Sequence, residues 1–561
     1  MKVVLAALNA TYSHSSLALR YLQRCCAQQF PELETVEFNI NQSPQAILAE
    51  LVRRKPDVVG FSCYIWNIEI ILPLVSNLRK VCPDTTIVLG GPEVSFDTEY
   101  WLTEHPSIDF LIAGEGEEAL RRFLEEYEQC GGRFRAESLA EVPGLVYRTE
   151  GGQIAQNPGQ PLDLGTIPLL YEGNLKELHN KIVYYETTRG CPFRCAYCLS
   201  SVMGRVRVFP MERAKQELAA LAETGVQQVR FVDRTFNYDA RRAYELLEFM
   251  ISLDTTTRFQ LEVSGDILTE PVLELLTTAP ENRFQFEIGV QSTNPATLQA
   301  VSRQADLERL AEVVRFLKEK TTVRVLLDLI AGLPEEGFWR FGESFDYVYS
   351  LQPDRIHLGF LKLLRGSRLR EEAESFGCVY TDQAPYEVLY TKDLSFQEIQ
   401  RLKLIEDLVE KYYGSHFEHA LQYLLRGGRS PFQFFNQFAA QWERKGYHLL
   451  EHSLQGRYRI LWELFAAGNP DLLPWLVYDF RRNERRQGTP QWMGGRQDRS
   501  RENALIQSGR IHELLPETAG LPPRELGRRI MVEELQFEAG TQTMLFYYPL
   551  DGKGVRTIRL E

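Results

Sequence analysis

Three cysteines fall within one short stretch, TTRGCPFRCAYCLSS at residues 187–201, with the spacing C-x3-C-x2-C. Cysteine thiolates bind soft or borderline metals, and a structural zinc site needs four ligands, commonly from two C-x2-C knuckles. No second knuckle and no paired histidine lies nearby in the sequence. An iron–sulfur cubane has four irons, so three cysteines leave one iron open to a substrate or cofactor. The motif therefore favours a [4Fe-4S] cluster on Cys191, Cys195 and Cys198 over zinc or unligated core thiols.

The sequence around this motif alternates β-rich runs with amphipathic segments, from residue 183 to about residue 375. Six β-α units fall short of a complete eight-fold barrel. We therefore predict an α/β domain over 183–375, a partial (β/α)6 barrel whose first strand is followed directly by the cysteine loop.

A similar alternation, with five β-rich runs, fills residues 1–135 and predicts a doubly wound, flavodoxin-like or Rossmann-like domain. In such a domain the ligand binds at the carboxyl ends of the strands. Glycines stand at two of these predicted ends, where they either turn the chain or let a large ligand approach the backbone. They are Gly90 and Gly91 in VLGGPEVS, and Gly114 and Gly116 in AGEGEE.

The rest of the chain divides into two further predicted parts. Residues 136–182 form a linker containing an edge hairpin, and 376–561 form a mostly helical domain that ends in a small antiparallel β unit. Residues 481–501 hold seven arginines, at 481, 482, 485, 486, 496, 499 and 501, against Glu484 and Asp498. A solvated helix face is the ordinary interpretation. An anionic substrate such as RNA or a phosphorylated metabolite is the alternative, with Trp492 available for stacking.

The cysteine motif, with an aromatic residue just before its third cysteine and a partial barrel around it, resembles the radical S-adenosylmethionine superfamily. The resemblance implies that the open iron chelates S-adenosylmethionine, and that one electron cleaves this cofactor to a 5′-deoxyadenosyl radical. Many members carry a Gly-Gly-Glu type turn after the second strand, where this chain has Asp233 and Arg234. The resemblance places the cofactor contacts at Tyr197, Asp233, Glu262, Gln291, Arg303 and Asp328.

The N-terminal domain, directly before such a barrel, resembles the cobalamin-binding domain of the B12-dependent branch. In that branch the glycine pair lets the nucleotide tail of cobalamin insert, which implies contacts at Ser62, Gly90, Gly91, Gly114 and Gly116. The Asp-x-His-x-x-Gly signature of His-on cobalamin proteins is absent, because His14 lies in TYSHSSL. We expect no histidine below the cobalt, and His14 is interpreted as a loop residue.

Composition narrows the class of protein further. The 561 residues are 44% hydrophobic and 25% charged, typical of globular proteins, and the net charge of −13 argues weakly against a general polyanion binder. No apolar run reaches the roughly 18 residues of a membrane span. The nine cysteines, odd in number and irregularly spaced, indicate reduced thiols in a cytoplasmic protein. The six outside the motif are predicted to be packing residues: Cys25, Cys26, Cys63, Cys82, Cys130 and Cys378.

These observations predict an enzyme that uses a [4Fe-4S] cluster, S-adenosylmethionine and cobalamin to methylate an unactivated carbon. The substrate, a small molecule or an RNA, is not specified by the sequence, and a low-potential donor of the flavodoxin or ferredoxin type would supply electrons. The first alternative is the same architecture catalysing cyclisation, rearrangement or sulfur or RNA modification without net methylation. The second is a non-catalytic cobalamin or redox sensor.

Overall fold

The computed structural model describes residues 1–132, 134, 136–466, 469–483, 490–493, 498–549 and 554–560. The chain divides into two compact units, one formed by Met1–Phe341 with Gly359–Phe396 and the other by Gly342–Leu358 with Gln397–Glu561. Among the described helices, none combines the length and hydropathy that crossing a membrane requires.

The N-terminal part of the first unit is built on a seven-stranded sheet in the order β2-β1-β3-β4-β5-β6-β7. The first five strands are parallel, and β6 and β7 add an antiparallel hairpin at the edge, within the segment predicted as a linker. The strands are β1 Val3–Asn9, β2 Glu34–Asn39, β3 Val58–Ser62, β4 Thr86–Gly90, β5 Phe110–Ile112, β6 Leu145–Arg148 and β7 Ile154–Gln156. The helices are α1 Leu17–Cys26, α2 Pro44–Arg54, α3 Ile68–Val81, α4 Thr98–Glu104, α5 Gly116–Cys130 and α6 Ala136–Leu139.

Both faces of this sheet are buried, as the doubly wound prediction requires. Alternate residues of a strand point to opposite faces, and β1 divides accordingly. Val4, Ala6 and Leu8 join a core with residues of α2, α3 and α4. Val3, Leu5 and Ala7 join a second core with residues of α1 and α5. Hydrophobic burial on both faces therefore fixes the strands, and the polar chemistry is left to their carboxyl ends.

The second sheet has six strands in sequential order, β15-β14-β13-β12-β11-β8. The fold class predicted from the sequence is confirmed. The strands are β8 Ile182–Tyr185, β11 Gln228–Phe231, β12 Arg258–Val263, β13 Phe284–Gln291, β14 Arg324–Ala331 and β15 Arg355–Phe360, and two short pairs are β9 Thr188–Arg189 with β10 Arg207–Val208 and β16 Val379–Tyr380 with β17 Val388–Tyr390. The helices are α7 Met211–Thr224, α8 Ala240–Ser252, α9 Glu270–Leu276, α10 Pro295–Ala300, α11 Leu307–Lys320, α12 Phe338–Ser350 and α13 Arg368–Glu371.

The remainder of the chain is mainly helical and ends in a three-stranded antiparallel sheet, as the sequence predicts. Its helices are α14 Phe396–Tyr412, α15 Glu418–Leu425, α16 Pro431–Arg444, α17 Leu454–Phe465, α18 Leu472–Asn483, α19 Arg499–Gln507, α20 Arg510–Leu514 and α21 Pro523–Arg529. Its strands are β18 Ile530–Phe537, β19 Gly540–Tyr547 and β20 Arg556–Leu560.

Candidate functional site

The cysteine loop leaves the sheet after β8 and returns through β10. Strands β9 and β10 pair at its base, so the loop starts and ends at one place. Gly190 has φ 100°, and a Cβ there would lie 2.9 Å from the carbonyl oxygen of Arg205. Only glycine fits this position. The loop is also held in its middle, because the Ala196 amide donates to the Val301 carbonyl and the Leu369 amide donates to the Ala196 carbonyl, each at 2.9 Å.

The three cysteines differ in burial. Cys195 is buried, whereas Cys191 and Cys198 are half-buried. Burial raises the pKa of the Cys191 thiol, and the neighbouring thiols of Cys195 and Cys198 raise it further. The loop thus holds its thiols within electrostatic reach of one another, and a bound cation would favour their ionised form.

No group of three or more His, Cys, Asp or Glu side chains in the described part of the chain is close enough to hold a single metal ion. A cubane has a different requirement, because each cysteine binds a different iron and the sulfurs need not converge on one point. The spacing and chemistry of the loop fit such a cluster.

Asp233, at the end of β11, is fully buried beneath the start of the cysteine loop. Its carboxylate accepts hydrogen bonds from the Thr187 amide at 2.8 Å, the Thr187 hydroxyl at 2.6 Å and the Thr188 hydroxyl at 2.7 Å. A direct contact with a cofactor would have to compete with all three. We therefore interpret Asp233 as the residue that positions the entry to the loop, rather than as the predicted ligand of S-adenosylmethionine.

Arg303 connects the cysteine loop to the end of β13. One guanidinium nitrogen lies 3.4 Å from the Tyr197 hydroxyl and 3.9 Å from the Cys195 sulfur, and the other donates to the Gly289 carbonyl. Arg303 and Tyr197, which the sequence predicted as contacts of one cofactor, are therefore neighbours. They lie next to the sulfur of one predicted cluster ligand.

The end of β13 has an unusual backbone that presents Gln291. Gln291 has φ 68°, and the ladder to β14 shifts register between Gly289 and Gln291. A Cβ at Gly289 would lie 2.2 Å from the Gln291 side-chain nitrogen, so a larger residue there would displace the Gln291 side chain. The side-chain oxygen of Gln291 is buried and has no hydrogen-bond partner within the protein. A buried acceptor without a donor is costly, and a bound ligand that donates a hydrogen bond would satisfy it.

Carboxylates from three adjacent strands interact with each other inside the barrel. Burial raises the pKa of Glu262 to about 7, and Arg234 opposes this, while Glu287 and Asp328 raise it further. Glu262 and Glu287 are register partners on β12 and β13. This acidic interior suits the ammonium and ribose hydroxyl groups of S-adenosylmethionine.

The predicted cobalamin residues lie at the adjacent ends of β3, β4 and β5. Ser62 pairs in register with Gly90, and its hydroxyl is buried without a hydrogen bond of good geometry. A Cβ at Gly90 would come no closer than 3.6 Å to the Ile112 carbonyl oxygen, and nothing lies within 4 Å of one at Gly114. Open space therefore lies beside Gly114, while a Cβ at Gly90 would make only ordinary contacts with Ile112.

Gly91 and Gly116 have different surroundings. Gly91 has φ 111°, and a Cβ there would lie 2.5 Å from the Cys63 carbonyl oxygen. The space at Gly91 is therefore filled by this chain, and its glycine serves the local fold. Gly116 begins α5, where a Cβ would lie 3.2 Å from a methyl group of Leu22.

His14 lies at the junction of the two sheets. Its Nδ1 is 3.1 Å from the Tyr184 hydroxyl, and its backbone forms a bridge with Ile182. These contacts explain the position of His14 without assigning it as a ligand of cobalt. Of the cysteines outside the motif, Cys25 and Cys26 have their thiol pKa raised to about 12 by burial, which fits packing residues.

The arginine-rich segment does not behave as one exposed face. Arg481 is buried against Glu533, so it is unavailable to an anionic substrate, contrary to that alternative. Arg482 pairs with Glu418 at 3.1 Å. Arg485, Arg486 and Arg496, with Glu484, lie outside the described residues. Arg501 pairs with Glu534 at 3.5 Å, and the ring of Trp492 lies 5.4 Å from that of Trp462.

Three family matches cover most of the chain. Residues 3–124 match the family described as B12 binding domain, and residues 185–348 match the radical SAM superfamily. Residues 374–545 match a family described as a protein of unknown function, DUF4080. The prediction of a radical SAM enzyme with a cobalamin-binding domain is confirmed, and with it the cofactor set of [4Fe-4S] cluster, S-adenosylmethionine and cobalamin.

Three curated relatives are each similar to half of this chain or more. An uncharacterized methyltransferase of Pyrococcus horikoshii, PH0819, is 24% identical over 68% of this chain and 86% of its own length. The cobalamin-dependent radical SAM methyltransferase TokK of Streptomyces tokunonensis is 26% identical over 50% of this chain and 43% of its own. An anaerobic magnesium-protoporphyrin IX monomethyl ester cyclase of Rubrivivax gelatinosus is 24% identical over 56% and 57%.

Solved structures share the fold. The cobalamin-dependent S-adenosylmethionine radical enzyme OxsB, with aqua-cobalamin and S-adenosylmethionine bound, covers 85% of this chain and 80% of its own at 14% identity, with a TM-score of 0.60. The similarity extends across both the B12-binding and the radical SAM domains.

Proposed function

We propose that this chain is a cobalamin-dependent methyltransferase that transfers a methyl group to an unactivated carbon of its substrate. The observation that carries the proposal is the presence, in one compact unit, of a B12-binding domain and a radical SAM domain with its cysteine loop. The similarity to proteins named as methyltransferases supports it.

Each group has residues suited to hold it. Cys191, Cys195 and Cys198 would bind the cluster, and the open space at Gly114, with Gly90 at the neighbouring strand end, would accept part of cobalamin. When bound, the cluster supplies an electron to S-adenosylmethionine and cobalamin supplies a transferable methyl group. A low-potential flavodoxin or ferredoxin type of protein would deliver the electron.

The protein's own task is to orient S-adenosylmethionine next to the loop. The Gln291 oxygen would accept a hydrogen bond from it, and the Arg303 guanidinium would bind its carboxylate in addition to the contacts it already makes. Glu262, when ionised, would attract its ammonium group or a ribose hydroxyl. These side chains are largely buried, so they would act where water competes weakly.

The experiment is anaerobic turnover of the reconstituted enzyme with S-adenosylmethionine carrying a deuterated methyl group. Candidate substrates come from mass spectrometry of small molecules and RNA in cells with and without the gene. We expect a product heavier by one labelled methyl. S-adenosylhomocysteine and 5′-deoxyadenosine should form in about equal amounts, because each molecule of product consumes two of S-adenosylmethionine, one giving each by-product. A product without the label would exclude methyl transfer.

A second candidate is cyclisation or rearrangement without net methylation, favoured by the similarity to the Rubrivivax gelatinosus cyclase. It predicts 5′-deoxyadenosine without S-adenosylhomocysteine under the same conditions. The ratio of the two by-products therefore separates the candidates even before the product is identified.

A further inference from the structure

Glu115 stands between Gly114 and Gly116 in the turn after β5. Its carboxylate contacts residues of the radical SAM domain. It accepts a hydrogen bond from Arg189 at 3.1 Å, and Arg207 donates to both of its oxygens. The Leu162 amide donates to it at 2.8 Å. This side chain thus ties the turn containing Gly114 to a separate part of the chain.

The two arginines are the register partners of the β9–β10 pair, where the cysteine loop begins and ends. Only Gly190 separates Arg189 from Cys191, and Gly190 is itself tightly packed. A displacement of Arg189 would therefore also move Cys191, the first predicted cluster ligand. One carboxylate anchors both ends of the loop.

Arg189 is set in a network whose geometry resists rearrangement. Its side chain is 9% exposed and also pairs with Glu117 and Glu186, the latter at 2.8 Å. The guanidinium lies over the ring of Tyr21, 4.9 Å from its centroid. Buried ion pairs are costly to break, since the partner left behind is a desolvated charge.

The other glycine turn of the N-terminal domain has a similar connection. Glu93, two residues after Gly91, is buried and accepts a hydrogen bond from the Tyr386 hydroxyl at 2.6 Å. Arg365 donates to the same hydroxyl at 3.0 Å. Both turns predicted to face cobalamin are therefore held by acidic side chains that reach residues beyond the N-terminal domain.

We propose that Glu115, through Arg189 and Arg207, makes cobalamin binding and cluster binding strengthen each other. The network holds the Gly114 turn and both ends of the cysteine loop in one arrangement, so a ligand bound at the turn and a cluster bound in the loop would stabilise the same arrangement. The coupling must be reciprocal, so each group raises the affinity for the other by the same factor. Glu115, Arg189 and Arg207 are positioning residues in this scheme, which rests on the proposed function.

The test measures the dissociation constant of hydroxocobalamin for the full chain, anaerobically, with and without the reconstituted cluster. For the wild type we expect binding at least about five-fold tighter with the cluster, the lower end of usual coupling factors. Glu115→Gln should reduce this ratio to near one while both groups still bind. Arg207→Lys, a milder change at a half-buried position, should reduce the ratio partly. This variant replaces Glu115→Gln in the test if Glu115→Gln does not fold.

The matched control is Arg79→Lys. Arg79, on α3, pairs with Asp109 just before β5, whereas Glu115 follows the opposite end of that strand, and the Arg79 variant should keep the wild-type ratio. Resistance of the cluster iron to a chelator, with and without hydroxocobalamin, gives the reciprocal measurement.

The outcomes separate the inference from the proposed function. A wild type that binds hydroxocobalamin equally in both states refutes the coupling and leaves the proposed function standing. Failure to bind it in either state overturns both. Loss of the coupling in Arg79→Lys as well would mean general loosening of the domain, which also refutes the inference.

Discussion

Glu262 should make the folded protein less stable as pH rises, and removing its charge should reverse this. Its folded pKa of about 7 lies above the unfolded value of 4.5, so the folded state binds more protons between these two values. Stability is therefore lost as pH rises through this window. The full penalty, reached above pH 7, corresponds to about 3 kcal/mol, and about 2 kcal/mol of it appears between about pH 5.5 and pH 8.

The perturbation is Glu262→Gln, which keeps the shape and cannot ionise. Denaturant unfolding of the cluster-free protein, followed at about pH 5.5 and pH 8, should show the variant gaining stability over the wild type mainly at the higher pH. Glu274→Gln, an exposed carboxylate on α9, is the control and should give no such difference. An equal difference at both pH values, or a variant less stable than the wild type at pH 8, would refute the argument.

The remaining predictions concern the cluster, the cobalamin cleft and the C-terminal unit. Cys195→Ala should abolish both the visible absorption of the reconstituted cluster and 5′-deoxyadenosine formation, whereas Cys130→Ala should retain both. Iron and sulfide content checks the loss of the cluster independently. Gly90→Leu should weaken hydroxocobalamin binding at least about ten-fold, as roughly 1.4 kcal/mol of lost contact requires, with iron content unchanged; unaltered affinity in titration would contradict it. Arg481→Met should destabilise the protein by about 3–5 kcal/mol in denaturant unfolding, because Glu533 is left buried and unpaired, and adding Glu533→Leu should recover most of the loss.

Periodicity in the sequence was sufficient to predict both sheets. Strands β1 and β3 are short apolar runs buried on both faces, which leaves a continuous hydrophobic pattern. Strand β13 instead alternates buried apolar residues with partly buried ones. The residues at strand ends can also be predicted from the sequence, because a polar side chain or glycine directly after such a run lies at the sheet's carboxyl edge. Gly90 and Gly114 are identified in this way, whereas Glu262 and Ser62 are implied by the family resemblance.

The sequence pattern does not show whether a glycine leaves room for a ligand or is needed by the local fold. Gly90 and Gly91 are adjacent in the sequence, yet a Cβ at the first would make only ordinary contacts with Ile112, whereas one at the second would collide with the Cys63 carbonyl. Only the backbone angle and the neighbouring strand distinguish the two. Asp233 shows the equivalent limit for a carboxylate, since its three donors come from Thr187 and Thr188, more than 40 residues earlier in the chain.

Glu115 shows what kind of residue sequence patterns miss. It stands in AGEGEE, where the glycines attract attention and the carboxylate resembles any exposed helix-start acid. Its partners Arg189 and Arg207 lie 74 and 92 positions further along the chain, so no local spacing connects them. Strand periodicity reports which backbone segments are buried, whereas a buried ion pair depends on which side chains two folded domains bring together. Since Arg189 immediately precedes Gly190 and the first motif cysteine, the entry to the cysteine loop contacts a side chain from another domain, which the spacing of the motif does not reveal.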